Sequence, residues 1–282
     1  MNRTAEPASI RQLLEQATSL LTTGTARLDA EILLAHTLAR ARSHLRAWPE
    51  KVLSPEQQEK FQQLLQARIQ GQPVAYLTGQ REFWSLPLAV TSATLIPRPE
   101  TETLVALALD LIPADSTAQI ADLGTGSGAI ALAIAHERRH CHVLATDISS
   151  AAIGTATANA QQLGISNIEF QCGSWCEPLV DRQYDVIVSN PPYIRDADPH
   201  LQSGDVRFEP RSALAAGPQG MDDLIKIAHC ARQHLRANGW LIMEHGYDQS
   251  DQLTQLLEGC GFQNVTDHQD DAGVNRVIIG KR

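Results

Sequence analysis

The sequence predicts an α/β chain. A doubly wound, mostly parallel seven-stranded sheet follows an N-terminal helical bundle domain and a connecting β-hairpin. Three observations carry this. Apolar residues recur at helical spacing through the first seventy residues. From Ala118 onward short apolar strands alternate with helices, the pattern that parallel sheets require. Charge divides with the pattern: up to Pro97 there are 10 Lys and Arg against 8 Asp and Glu, and from Arg98 onward 13 against 24. With 282 residues and 43% hydrophobic content, the chain is long enough for two domains with their own cores. The boundaries fall at residues 1–78 for the helical domain, 79–97 for the hairpin linker and 98–282 for the sheet domain.

In the first part, Ile10, Leu13, Leu14, Ala17, Leu20 and Leu21 form one helical stripe. Leu28, Ile32, Leu34, Ala35 and Leu38 form another, after a Thr23-Gly24-Thr25 break. A further helix starts at Ser54-Pro55-Glu56-Gln57, where Ser54 caps, Pro55 suits the first helical position and Gln57 completes a capping box. It carries Phe61, Leu64, Leu65 and Ile69 and stops near Gly71 and Pro73. Phe83–Val90 reads as a strand and Thr94–Ile96 as its partner across a Thr-Ser-Ala turn. Pro99 opens a helix that runs to Leu111.

The seven sheet strands are expected at Ala118–Leu123, Cys141–Thr146, Ile168–Gln171, Tyr184–Ser189, Gly239–Glu244, near Val265, and at Val274–Ile279, the last two as an antiparallel pair. Helices are expected at Ala129–Glu137, Ser150–Leu163, Asp222–Leu235 and Asp248–Glu258. No stretch approaches the ~18–20 apolar residues of a membrane span. The opening MNRTAEPASI lacks the apolar core of a secretory signal. Cys141, Cys172, Cys176, Cys230 and Cys260 form an odd, scattered set, which predicts reduced thiols in a cytoplasm and no metal site. The acidic larger part disfavours a broad phosphate groove for duplex DNA.

Two motifs carry chemistry. Asp122-Leu123-Gly124-Thr125-Gly126-Ser127-Gly128 lies where the first sheet strand turns into a helix. Its glycines permit a tight turn and close ligand approach. Asp147 ends the next strand, where an acid accepts hydrogen bonds from ribose hydroxyls. Together they indicate an adenine nucleoside. The G-x-G-x-G spacing and the neighbouring Asp122 suit a cationic ligand such as S-adenosylmethionine better than a pyrophosphate.

The second motif, Asn190-Pro191-Pro192-Tyr193, follows the strand Tyr184–Ser189 and so faces the same crevice. Its prolines remove two N–H donors and leave it rich in acceptors. A planar NH₂ group has two hydrogens, one for Asn190 Oδ1 and one for the Pro191 carbonyl, while Tyr193 adds a flat face. An amide nitrogen gains positive charge as it attacks a methyl group, so both acceptors bind the transition state more strongly than the ground state.

With these motifs, the segments Glu82–Leu88, Leu95–Glu102, Gly204–Pro210 and Glu244–Gly246 make the chain resemble the PrmC (HemK) family, the methyltransferases of peptide chain release factors. The resemblance implies a class I S-adenosylmethionine-dependent methyltransferase that methylates the glutamine amide of the Gly-Gly-Gln motif in release factors. It implies Gly124, Thr125, Gly126, Ser127, Gly128, Asp147, Trp175 and Asn190 for the cofactor, and Asn190, Pro191, Pro192 and Tyr193 for glutamine, with Asn190, Pro191 and Tyr193 catalytic. The helical domain would recognise the factor. Arg98, Glu100, Glu102, Phe83, Arg207 and Glu209 would shape the site or pair among themselves, and His245 is structural. The expected protein is a cytoplasmic monomer without membrane or DNA partners. The alternatives are a glutamine methyltransferase of a large-subunit ribosomal protein and a nucleic-acid adenine amino methyltransferase.

Overall fold

The computed structural model describes residues 8–282; most of the MNRTAEPASI opening, residues 1–7, lies outside the described residues. The chain forms two compact units, one up to Gly79 and one from Gln80 to Arg282.

The first unit is helical: α1 (Ile10–Leu20), α2 (Ala26–Leu38), α3 (Arg42–Ala47), α4 (Pro55–Ile69) and α5 (Val74–Thr78). Capping boxes fix two starts, Ser9 with Gln12 and Ser54 with Gln57, each satisfying two N–H groups that a helix end leaves open. The apolar stripes meet in one core that includes Ile10, Leu14, Leu33, Leu34, Phe61 and Leu65. Within it lies a buried ion pair, Arg68 Nε to Asp29 Oδ2 at 2.8 Å. Asp29 also accepts from the hydroxyls of Thr23 and Thr25, so the Thr-Gly-Thr break is tied to the start of α2.

The second unit opens on an antiparallel hairpin of β1 (Gln80–Phe83) and β2 (Leu86–Ala89). This corrects the predicted pairing of Phe83–Val90 with Thr94–Ile96. The chain reverses at Trp84 and Ser85, both with positive φ (50° and 59°), as tight hairpin turns demand. The sequence lacked the usual Gly or Asn there. Tertiary bonds hold the turn instead: the Trp84 N–H donates to Glu102 and its indole N–H to Glu137. Phe83, Leu86 and Leu88 are buried in the main core of this unit.

After a short turn at Pro99–Thr101 come α6 (Glu102–Leu111), β3 (Gln119–Leu123), α7 (Ala129–Glu137), β4 (His142–Asp147), α8 (Ser150–Leu163), β5 (Ile168–Cys172), β6 (Tyr184–Ser189), α9 (Asp222–His234), β7 (Leu235–Glu244), α10 (Ser250–Gly259), β8 (Gln263–Gln269) and β9 (Asn275–Lys281). The sheet order is β5-β4-β3-β6-β7-β9-β8. Its first five strands are parallel, and β9 runs antiparallel to both β7 and β8. This is the predicted doubly wound, mostly parallel seven-stranded sheet. Successive residues of β3 face opposite layers. Ile120 joins the core with α6 and α7, whereas Ala121 and Leu123 join the core with α9 and α10. The order reverses between β3 and β6, the place where such sheets open a crevice at their carboxyl ends.

The cysteine expectation is corrected. Cys176 and Cys230 form a disulfide with Cα atoms 6.0 Å apart. They lie 54 residues apart in sequence, and both belong to or pack on the apolar cluster built around α9. Sequence spacing could not reveal a proximity made by that packing. Cys141, Cys172 and Cys260 are free thiols. No described helix is long and apolar enough to cross a membrane.

Candidate active site

The end of β3 launches the glycine loop. Gly124, Gly126 and Gly128 all have positive φ (77°, 57° and 87°), a region that disfavours any Cβ. Two of them are also closely packed. A Cβ on Gly128 would lie 2.9 Å from the Leu132 side chain, and one on Gly124 would lie 3.1 Å from the Trp175 ring. The Gly124 and Thr125 N–H groups donate to the Thr146 carbonyl, which binds the loop to the end of β4.

Asp147 sits at that end. Its Oδ2 accepts from Gly126 N at 2.9 Å and its Oδ1 from Ser149 N at 2.8 Å. The carboxylate is therefore aimed by backbone groups and still has lone pairs for further donors.

A crevice of about 310 Å³ opens here. Gly124, Thr125, Gly126, Ser127, Asp147, Trp175, Asn190 and Pro192 all line it. Gly128, Pro191 and Tyr193 are not on its wall. Gly128 shapes the loop from beneath, against Leu132 and Ala156. Trp175 holds a positive φ of 44° and its carbonyl accepts from the Thr146 hydroxyl.

The turn after β6 is fixed by buried hydrogen bonds. Ser189 Oγ donates to the Leu123 carbonyl. Asn190 Nδ2 donates to Thr101 Oγ1 at 3.1 Å, and Thr101 Oγ1 donates to Glu244 Oε2 at 2.6 Å. The Tyr193 hydroxyl donates to Glu244 Oε1 at 3.0 Å. Tyr193 thus departs from its expected place as a flat face for the substrate; its ring packs on the α9 side of the sheet. Burial pushes the Tyr193 phenol well above its usual range, and also raises the Glu244 carboxyl.

Asp122 differs from expectation too. It is fully buried and does not face the crevice. Its Oδ2 accepts from Thr125 Oγ1 at 2.6 Å, while Oδ1 has no partner among the described residues. Burial pushes its carboxyl up to about 7, against the Thr125 hydrogen bond.

The segments around Arg98 and Glu209 come together. The buried Glu209 pairs with the Arg98 guanidinium through Oε1 and accepts from Ile96 N through Oε2. Arg98 and Thr101 line the crevice. Glu102 instead holds the hairpin turn, Phe83 is core, Glu100 is exposed, and Arg207 stacks on the Phe208 ring at 4.9 Å. His245 is fully buried between the Gly246 carbonyl and Asp267.

Several residues that line or support the crevice were given no role by the sequence reading. Ile148 follows Asp147 on the wall and is 71% exposed. Asn159 ties Ala89 of the hairpin to the Ser127 carbonyl. Glu244 offered a signal: a carboxylate ending the buried run from Leu241 to Met243, at the carboxyl end of a sheet strand.

The glycine cradle, whose three positive-φ turns disfavour side chains, and the backbone-held acid fit an adenosyl cofactor. The fold and this crevice define a class I S-adenosylmethionine-dependent methyltransferase. The Methyltransferase small domain matches residues 102–205 and the PrmC N-terminal domain matches residues 12–79. By sequence, the chain is 48% identical to the release factor glutamine methyltransferase of Aliivibrio fischeri, covering 97% of each. It is 47% identical to the release factor glutamine methyltransferase of Coxiella burnetii, covering 97% of this chain and 99% of that one. The chain belongs to the release factor glutamine methyltransferase family. Its fold also resembles the T. thermophilus 16S rRNA N2 G1207 methyltransferase solved with AdoMet and guanosine, with TM-score 0.53 and 16% identity over 72% of this chain and 49% of that one.

Proposed function

We propose that the protein transfers a methyl group from S-adenosylmethionine to the side-chain amide nitrogen of the glutamine in the Gly-Gly-Gln motif of release factors. The observation that carries this is the position of Asn190, an amide that lines the same crevice as the glycine loop and Asp147. Gly124 to Gly128, Asp147 and Trp175 hold the cofactor, with Gly128 shaping the loop from below. The cofactor supplies an electrophilic methyl group on a sulfonium. Asn190 Oδ1 and the Pro191 carbonyl take the two N–H hydrogens of the glutamine amide, and Pro192 closes the turn. As the amide nitrogen loses its delocalised lone pair, both acceptors bind it more strongly, and alignment supplies much of the remaining acceleration. The proton leaves after transfer, so no general base is required beforehand.

Residues 1–78 recognise the factor and residues 98–282 catalyse. The protein works as a cytoplasmic monomer without membrane or DNA partners, in keeping with its acidic second part. The test incubates the protein and methyl-labelled S-adenosylmethionine with a release factor, with large-subunit ribosomal protein and with DNA. Mass spectrometry should find one added methyl group on the Gly-Gly-Gln peptide. Label only in ribosomal protein or in DNA would overturn the assignment.

A further inference from the structure

We propose that Thr101 and Glu244 are positioning residues that set the polarity of the Asn190 amide through a one-way hydrogen-bond relay. The inference rests on the function proposed above, because the relay matters only if the crevice receives an NH₂ group.

The relay starts at a carboxylate, which can only accept. Glu244 is 2% exposed, and each of its oxygens takes one hydroxyl hydrogen, from Thr101 at 2.6 Å and from Tyr193 at 3.0 Å. Thr101 has one hydroxyl hydrogen and has given it away. Its oxygen can therefore only accept from Asn190, 3.1 Å away. That contact admits the NH₂ end of the Asn190 amide and rejects the oxygen end. Oδ1 is left as the end that accepts no hydrogen bond from the described residues, on a side chain that lines the crevice.

The consequence is chemical. Asparagine can flip its amide with little change in shape, and the two ends have opposite hydrogen-bonding character. With Oδ1 toward the crevice, Asn190 accepts from the substrate NH₂. With the amide flipped, two NH₂ groups would face each other and the stabilisation of positive charge on nitrogen would be lost. Holding an acceptor in place before the reaction is what makes it effective in the transition state. Tyr193, which does not line the crevice, belongs to the same device. It occupies the second Glu244 oxygen and leaves Oε2 to Thr101.

Burial, joined by the charge of Glu100, raises the Glu244 carboxyl, and the Thr101 and Tyr193 hydroxyls and the charge of Arg276 oppose that rise. A side chain of the same shape that can also donate breaks the logic. In Glu244→Gln the amide can donate to Thr101, whose hydroxyl is then free to donate to Asn190 Oδ1.

The test measures methyl transfer to a release factor, S-adenosylmethionine binding by calorimetry, and melting temperature, for wild type, Thr101→Val, Thr101→Ser and Glu244→Gln. Thr101→Val and Glu244→Gln should lose about 10–100-fold in kcat, the range seen when a partner that orients a metal ligand is removed, with cofactor affinity unchanged. Thr101→Ser, which keeps the hydroxyl, should restore turnover. Wild-type kcat in Thr101→Val, or loss in Thr101→Ser equal to that in Thr101→Val, would overturn the relay. A substrate-free readout separates this from the assignment of function. The Asn190 side-chain NH₂ signal in the NMR spectrum should exchange slowly with solvent in wild type and faster in Thr101→Val. Equal exchange overturns the relay even if transfer to the release factor fails.

Discussion

At the scale of single residues, two side chains identify themselves by what they lack. Asn190 has one amide end engaged and lines the crevice, so its removal should cost the reaction far more than cofactor binding. Asn190→Ala is expected to lose about 2.7–4 kcal/mol of transition-state stabilisation, measured as kcat, with a far smaller loss of S-adenosylmethionine affinity by calorimetry. Asp122 is buried with one oxygen unpartnered among the described residues, and burial pushes its carboxyl up from 3.8 to about 7. The folded protein therefore prefers the protonated acid. That contribution to stability is complete below the unfolded pKa and is lost as pH rises through about 7, at no more than about 1.4 kcal/mol per pH unit. Denaturant melts between pH 4 and 8 should show this decline in wild type and a flatter profile in Asp122→Asn. Both residues stood out in the sequence, but the burial of Asp122 could not be read there.

Among elements, the strand-to-helix turn from β3 into α7 combines legible and hidden constraints. Three glycines at alternate positions announced a left-handed loop, and all three have positive φ. The sequence did not distinguish them. Gly126 has open space where a Cβ would stand, whereas Gly128 is packed against Leu132 and Ala156. Gly126→Ala should cost only the backbone penalty, about 1–2 kcal/mol. Gly128→Ala should cost more, because it adds a steric clash to the same penalty, and thermal melts of the two variants would rank them. The hairpin of β1 and β2 makes the opposite point. Its turn residues, Trp84 and Ser85, carry no local turn preference, and the carboxylates that hold Trp84 come from α6 and α7. A turn stabilised from outside has no local sequence mark.

On the scale of the whole molecule, the two units have separate cores, and every residue lining the crevice belongs to the second. Damage to the first unit should then affect the factor and leave the cofactor alone. Asp29→Ala removes the carboxylate paired with the buried Arg68 guanidinium, a loss of about 3–5 kcal/mol for a broken buried pair. It should raise KM for the release factor while calorimetry shows unchanged S-adenosylmethionine binding; an equal loss of both would contradict the division of labour. The charge split accords with this division, since the acidic second part holds a cationic cofactor and an uncharged amide. Sequence alone determined the alternation of strands and helices, the glycine loop, the acid Asp147 and the Asn-Pro-Pro-Tyr turn. Each is written in neighbouring residues, through periodicity, backbone freedom or fixed φ. Only the tertiary structure decided that Cys176 meets Cys230, that Tyr193 faces Glu244 and that Thr101 stands between Glu244 and Asn190. These contacts join segments 51 to 143 residues apart, and such proximity comes from packing helices on a sheet whose strand order differs from the order of the chain.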